Sequence, residues 1–240
     1  MSSQIKLNDV DLDGAVRETA GEMSDTLAHE GDTRLDFLKK AGIAGGAVMG
    51  GGALLGALVP GVAFGRPPKQ SRPPAKTFGK GDVGILNYAL LLEYLEAAFY
   101  NEANQKLKPQ DKATADFLTR VVIDENAHVK ILKGILGKKA LSSPKFDFGM
   151  TTSDEALFVA TAFALENTGV SAYSGQAFNI EDPDVLAGAL SIVTIEGRHA
   201  GLVGQILKGS KGIAPDGPTD KPVGARETIK AVKATGFIQD

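Results

Sequence analysis

From residue 82 onward, apolar positions recur every three to four residues over long stretches, the spacing of helices with one buried face. A first helix is predicted over about Asp82–Lys106, with Leu86, Leu90, Glu93, Ala97 and Tyr100 on one face. A second, about Gln110–Leu136, repeats apolar residues at Phe117, Val121, Ile131 and Leu132. A third, to about Phe178, opens with Thr152-Ser153-Asp154-Glu155, where Thr152 and Glu155 have the spacing of a capping box. In the fourth, Asp182 is placed to cap and Pro183 to occupy the first turn of a helix running to about Leu207. A short fifth helix, about Ala225–Ala234, closes the chain.

Connection lengths choose the topology. Helices one and two are joined by a short turn near Pro109, and helices three and four by Asn179–Asp182, so each pair forms an antiparallel hairpin. About fifteen residues from Gly137 onward separate the hairpins, with a reach of roughly 50 Å when extended. A 26-residue helix is about 39 Å long. The connection can therefore run the length of a bundle, and the predicted architecture is an all-α four-helix bundle with a long crossover and a short C-terminal helix.

The N-terminal third reads differently. Residues 1–32 are a polar, acidic tail. Residues 33–66 begin with Thr33-Arg34-Leu35-Asp36-Phe37-Leu38-Lys39-Lys40, continue into the apolar, Gly- and Ala-rich run 41–64, and read as an export signal. Thr33, Arg34, Phe37, Leu38 and Lys39 resemble a twin-arginine signal, but Leu35 replaces the second arginine. The alternative is a membrane anchor, since 41–64 is long enough to span a bilayer. Export implies a periplasmic or extracytoplasmic location; failure of the signal leaves the protein anchored or cytoplasmic. Residues 67–81, rich in Pro and basic, read as an extended linker, 82–208 as the bundle and 209–240 as a C-terminal extension.

Chemistry concentrates in a repeat carried by the two hairpins. In the first, Glu93 is followed by Tyr100 at +7 and by Glu125-x-x-His128 at +32. In the second, Glu166 is followed by Tyr173 at +7 and by Glu196-x-x-His199 at +30. Residues three apart share a helical face, so each Glu–His pair can address one point in space. If the halves pack about a pseudo-dyad, four glutamates and two histidines meet at mid-bundle, the ligand count of dinuclear carboxylate centres. Without cations, such a cluster in an apolar core costs several kcal/mol for each charged group. Glu96, one turn beyond Glu93, competes with it; the shared Tyr spacing favours Glu93 as the partner of Glu166. Glu96, Tyr100 and Tyr173 are candidates for groups that support the ligands. Glu102 reads as solvated or supporting, Arg198 as exposed or paired with Asp124 or Glu96, Lys138-Lys139 as solvated, and His29 carries no role.

The remaining composition narrows the field. The 240 residues are 43% apolar with a formal net charge of -3, which gives no basic field for nucleic acid. No cysteine is present, so thiolate sites and disulfides are excluded, and a metal would be held by oxygen and nitrogen.

Residues 82–208 resemble the ferritin-like superfamily. Leu-Glu-Tyr-Leu-Glu-Ala-Ala-Phe-Tyr (92–100) is similar to the first helix of its bacterial exported, desiccation-associated branch. Asp124-Glu125-Asn126-Ala127-His128 resembles the second-helix motif and Glu196-Gly197-Arg198-His199-Ala200 the fourth. The resemblance implies a ferritin-like fold with two iron ions (or manganese). Glu93 and Glu166 would be terminal ligands, Glu125 and Glu196 bridging ligands, and His128 and His199 nitrogen ligands. The implied activity is oxidation of Fe(II) by dioxygen or peroxide in stress protection. The alternative is a non-catalytic envelope or stress protein with a weak or absent metal site; an iron-storage cage would need shell assembly. The reading leaves room for a homodimer and for membrane association through 41–64.

Overall fold

A computed structural model describes residues 70–239. The polar tail, the export signal or anchor and His29 lie outside the described residues. Within them the elements run α1 (Ala75–Phe78), α2 (Gly81–Lys106), α3 (Lys112–Leu136), β1 (Lys145–Phe146), α4 (Glu155–Gln176), α5 (Pro183–Lys208), α6 (Ser210–Ile213), α7 (Ala225–Ala234) and β2 (Ile238–Gln239). No helix among the described residues is long and apolar enough to cross a membrane.

The all-α four-helix architecture and the short C-terminal helix are as expected. α2 packs on α3 and α4 on α5 as two hairpins. The path of the crossover follows from its ties. At one end, Asn87 of α2 donates to the Lys139 carbonyl and accepts from the Leu141 amide, at 3.0 and 2.9 Å. At the other, Thr152 donates to Glu102 at 2.7 Å. Glu155, at the start of α4, accepts from the amides of Gln110 and Asp111. Residues 137–154 therefore travel the length of the bundle before α4 begins.

Local chemistry sets the helix starts. Asp111, Asp154 and Asp182 each accept from backbone amides of the first turn, and Pro183 fills the first helical position of α5. The capping box expected at Thr152 does not form. Thr152 lies in a 3-10 turn, Gly149–Thr152, and Asp154 caps α4 instead, which frees Glu155 to hold the α2–α3 turn. Ile131, expected in the core, is 48% exposed, because the inner face of α3 runs through Phe117, Val121, Glu125, His128 and Leu132.

The 70–81 segment is not a free extended linker. Arg72 donates to the Asn179 carbonyl at 2.7 Å, Gln176 donates to the Ser71 carbonyl at 3.0 Å, and Phe78 is buried. At the far terminus, β2 pairs antiparallel with β1, and Phe237 packs on Phe148, which closes the crossover against Phe99. The chain after α6 crosses α4 so closely that a Cβ on Gly175 would lie 1.8 Å from the Val223 carbonyl oxygen.

Two apolar clusters fill the bundle. One is built on Phe99, Tyr100, Phe117, Phe158 and Val203. The other is built on Leu86, Leu90, Leu132, Tyr173 and Ile192. Between them, at mid-height on all four helices, lies a layer of carboxylates and imidazoles.

Candidate metal centre

Each helix of the bundle delivers its polar residues from the face that otherwise carries the core. Glu93 comes from α2, Glu125 and His128 from α3, Glu166 from α4, and Glu196 and His199 from α5. The four glutamates are fully buried and both histidines are 5% exposed. The structure brings all six expected residues together. They form two overlapping groups whose ligand atoms all lie within 4.8 Å of one another: Glu93, Glu125, His128 and Glu196, and Glu125, Glu166, Glu196 and His199. Glu125 and Glu196 belong to both.

The hydrogen bonds sort the carboxylate oxygens into outer and inner sets. Tyr173 donates to Glu93 Oε1 and Tyr100 to Glu166 Oε1, so each tyrosine serves the glutamate of the other hairpin. The second oxygens, Glu93 Oε2 and Glu166 Oε2, are buried with no hydrogen-bond partner. Both oxygens of Glu196, Glu125 Oε1 and His199 Nδ1 are orphaned in the same way. Seven buried side-chain atoms are orphaned among the described residues, and all but the Tyr88 hydroxyl belong to this centre. Buried polar atoms are nearly always paired in folded proteins. Six that converge without partners are what a cation site requires.

The imidazoles face the same interior. His128 Nδ1 lies 3.2 Å from Glu93 Oε2, 3.1 Å from Glu125 Oε2 and 3.1 Å from Glu196 Oε1. One N–H cannot serve three oxygens, whereas one cation at the centre of such a cage can. His199 Nδ1 lies 3.1 Å from Glu125 Oε1 and 3.4 Å from Glu166 Oε2, while its Nε2 meets Asp124 Oδ2 at 3.1 Å. Arg120 in turn donates to Asp124 from both Nε and Nη2. This chain of contacts holds a proton of His199 on Nε2 and turns Nδ1 inward, where its lone pair is free for a cation once the second proton is displaced. Arg120, not the exposed Arg198, is the partner of Asp124. The Arg120–Asp124 spacing of four was readable on one helical face; the reach of Asp124 across to His199 was not.

Protons and imidazolium charges balance the cluster when no metal is bound. Burial and the charge of Glu125 push Glu93 up to about 8. Burial, with surrounding carboxylates, also raises Glu166 and Glu196. Burial acts against the charge of Glu125 too, but the hydrogen bond from His128 and the adjacent His199 outweigh it and hold Glu125 at about 2. For His199, burial lowers the value and is overcome by Glu125 and Glu166, which lift it to about 11. His128 is raised in the same way by Glu125, Glu196 and Glu93.

Residues 81–209 match the ferritin-like domain family. The chain belongs to that family. No curated protein matches it in sequence. In this ferritin-like bundle, Glu93 rather than Glu96 converges with the histidines. Glu96 is buried beside the cluster, not solvated. Glu102 is set apart, held by Lys106 and Thr152 near the end of α2. Lys138 and Lys139 are exposed.

Proposed function

We propose that this ferritin-like protein holds two divalent first-row cations, iron or manganese, and uses them to oxidise Fe(II) with dioxygen or peroxide. The observation that carries the reading is the inward set of orphaned atoms shared between two overlapping ligand groups. Glu93 and His128 would hold one ion and Glu166 and His199 the other. Glu125 presents Oε2 to His128 and Oε1 to His199, and Glu196 leaves both oxygens unbonded, so these two would lie between the ions. Oxygen and nitrogen donors in this mixture suit iron and manganese. Bound there, the ions would supply paired one-electron donors to the oxidant.

The chain's own residues do the rest. Tyr100 and Tyr173 occupy the outer oxygens of Glu166 and Glu93 and keep the remaining oxygens turned inward. Their phenols stay protonated, because burial and the adjacent glutamates push both well above their usual value. They act as fixed donors rather than as bases. The apolar clusters on either side exclude water and strengthen the attraction between carboxylates and cation. Thr33–Lys39 and the apolar run 41–64 support an extracytoplasmic site of action, with protection against oxidative stress as the role.

The test is oxidation of Fe(II) by the full chain. Metal-free protein is mixed anaerobically with two equivalents of Fe(II), exposed to oxygen or peroxide, and followed by near-ultraviolet absorbance. Oxidation should outpace that of Fe(II) in buffer and should be lost in Glu125→Ala/His128→Ala. A rate equal to that of buffer would leave a ferritin-like protein that is not a catalyst.

A further inference from the structure

Beside the ligand layer, on the side of Tyr173, lies a cavity that holding a cation does not require. Its volume is about 30 Å³. That is room for about two molecules the size of water, and far short of the ~300–1,000 Å³ of pockets that take larger ligands. The mouth lies between α3 and α5, where Ile131 and Ile135 are 48% and 53% exposed and Val185 and Gly188 are half-buried. The inner wall is buried and includes Ala89, Leu132, Tyr173 and Ile192. Ala89, Leu132 and Ile192 stand four residues from Glu93, His128 and Glu196 in turn, each on the same helical face as its partner. Four residues of helix advance about 6 Å, so the inner wall is one turn from the ligand layer. Tyr173 joins the two: its side chain lines the cavity and its hydroxyl donates to Glu93 Oε1.

The wall is chemically apolar. Its polar side chains are those of Tyr88, Tyr173 and Gln176, and all three are turned elsewhere. Tyr173 is engaged with Glu93. Gln176 donates to the Ser71 carbonyl and accepts from Asn179. The Tyr88 hydroxyl lies by Thr228 and Glu227 of α7, neither of which belongs to the wall. Water or hydrogen peroxide entering here would give up its hydrogen bonds to solvent and find no replacements. An apolar molecule of the same size gives up nothing, and apolar cavities of this kind stay dry and take up xenon.

We propose that this cavity is the entry and holding site for dioxygen, and that the oxidant of the centre is therefore dioxygen rather than peroxide. The proposal rests on the dinuclear reading above and narrows its oxidant. It also gives a reason for Ile131 and Ile135 to stand exposed on α3: they keep the mouth apolar beside the small residue Gly188. A Cβ at Gly188 would meet no atom within 4 Å, so the mouth is open at that point.

The first test needs neither metal nor turnover. Crystals of the metal-free full chain pressurised with xenon should show an anomalous peak against Leu132, Tyr173 and Ile192, and Ile192→Phe, which fills the inner end, should lose it. No xenon in the wild-type cavity would overturn the proposal. The second test follows Fe(II) oxidation at varied dioxygen and, separately, at varied peroxide without oxygen. Ile192→Phe and Gly188→Leu, the latter obstructing the mouth, should each lower kcat/KM for dioxygen by at least about tenfold. Neither replaces a ligand, so oxidation by peroxide and the affinity for Mn(II) should stay within about twofold of the wild type. Thermal melts by circular dichroism show that each variant is folded. Leucine suits a helix better than glycine, so Gly188→Leu decides if Ile192→Phe does not fold. Equal losses with both oxidants, or no loss with dioxygen, would overturn the proposal. A wild-type chain that binds no Mn(II), or oxidises Fe(II) no faster than buffer, would fell the dinuclear oxidase reading and this one with it. Rapid oxidation by dioxygen in the wild type and both variants alike would overturn only the role of the cavity.

Discussion

Replacing Asp124 by Asn removes one charge from a position that touches no metal-facing atom. Asp124 Oδ2 accepts from His199 Nε2 at 3.1 Å and from Arg120 Nε at 2.7 Å. Asn can still accept from the imidazole, so the tautomer survives, but it no longer raises the basicity of the ring or holds the guanidinium on both oxygens. Loss of such support behind a ligating histidine costs about 10–100-fold in metal affinity, or roughly 1.4–2.7 kcal/mol. The cost should fall on one binding step only. Among the described residues no hydrogen bond reaches His128 Nε2, so the other histidine has no such partner to lose. Arg120→Gln is the control: the Arg120 side chain is 67% exposed. An exposed pair spaced i,i+4 is worth about 0.3–0.5 kcal/mol, which is close to a twofold change. Calorimetric titration of metal-free protein with Mn(II) reads both variants. Asp124→Asn with neither step altered, or Arg120→Gln as damaging as Asp124→Asn, would refute the reasoning.

Three further outcomes follow from the packing and the charges. Phe99 is fully buried, with the rings of Tyr100, Phe148 and Phe158 at 5.1–5.4 Å, so Phe99→Ala should lower stability by about 3–5 kcal/mol in urea unfolding. Tyr100→Phe and Tyr173→Phe should each cost about 1–3 kcal/mol in the same assay, because a buried glutamate oxygen is left without its donor. In metal-free protein, Glu93 at about 8 and His199 at about 11 bind protons more tightly folded than unfolded. Their contribution is fully present below the unfolded values and is lost as pH rises through the folded ones. Melts should therefore show metal-free protein less stable at pH 8 than at pH 5.5. Metal binding, which displaces those protons, should tighten over the same interval.

Much of the site was legible because the two halves repeat. The +7 spacing of Glu93 to Tyr100 and of Glu166 to Tyr173, with a Glu-x-x-His in each second helix, placed six residues that the fold brings to one layer. The same register, read one turn further, sets Glu96 against Gly169, and that asymmetry is visible in the letters alone. Other features depend on partners far along the chain. Thr152 and Asp154 are both good caps by residue type; the bond from Thr152 to Glu102 and those from Gln110 and Asp111 to Glu155 decide between them. Ile131 fits a helical apolar stripe but falls about one residue off the line through His128 and Leu132, and so faces outward. The pairing of β1 with β2 joins two dipeptides far apart in the sequence, too short to leave a period-two pattern. The anchoring of residues 70–74 on α4 and its following turn likewise rests on single side chains, Gln176 and Asn179.

The most direct test of the dinuclear centre is anomalous diffraction from crystals of the protein grown with Mn(II) or with Fe(II) under anaerobic conditions. Two peaks are expected in the mid-bundle layer, one against Glu93 and His128 and one against Glu166 and His199, with Glu125 and Glu196 between them. A layer without a peak at saturating metal, or a single ion held elsewhere on the protein, would contradict it.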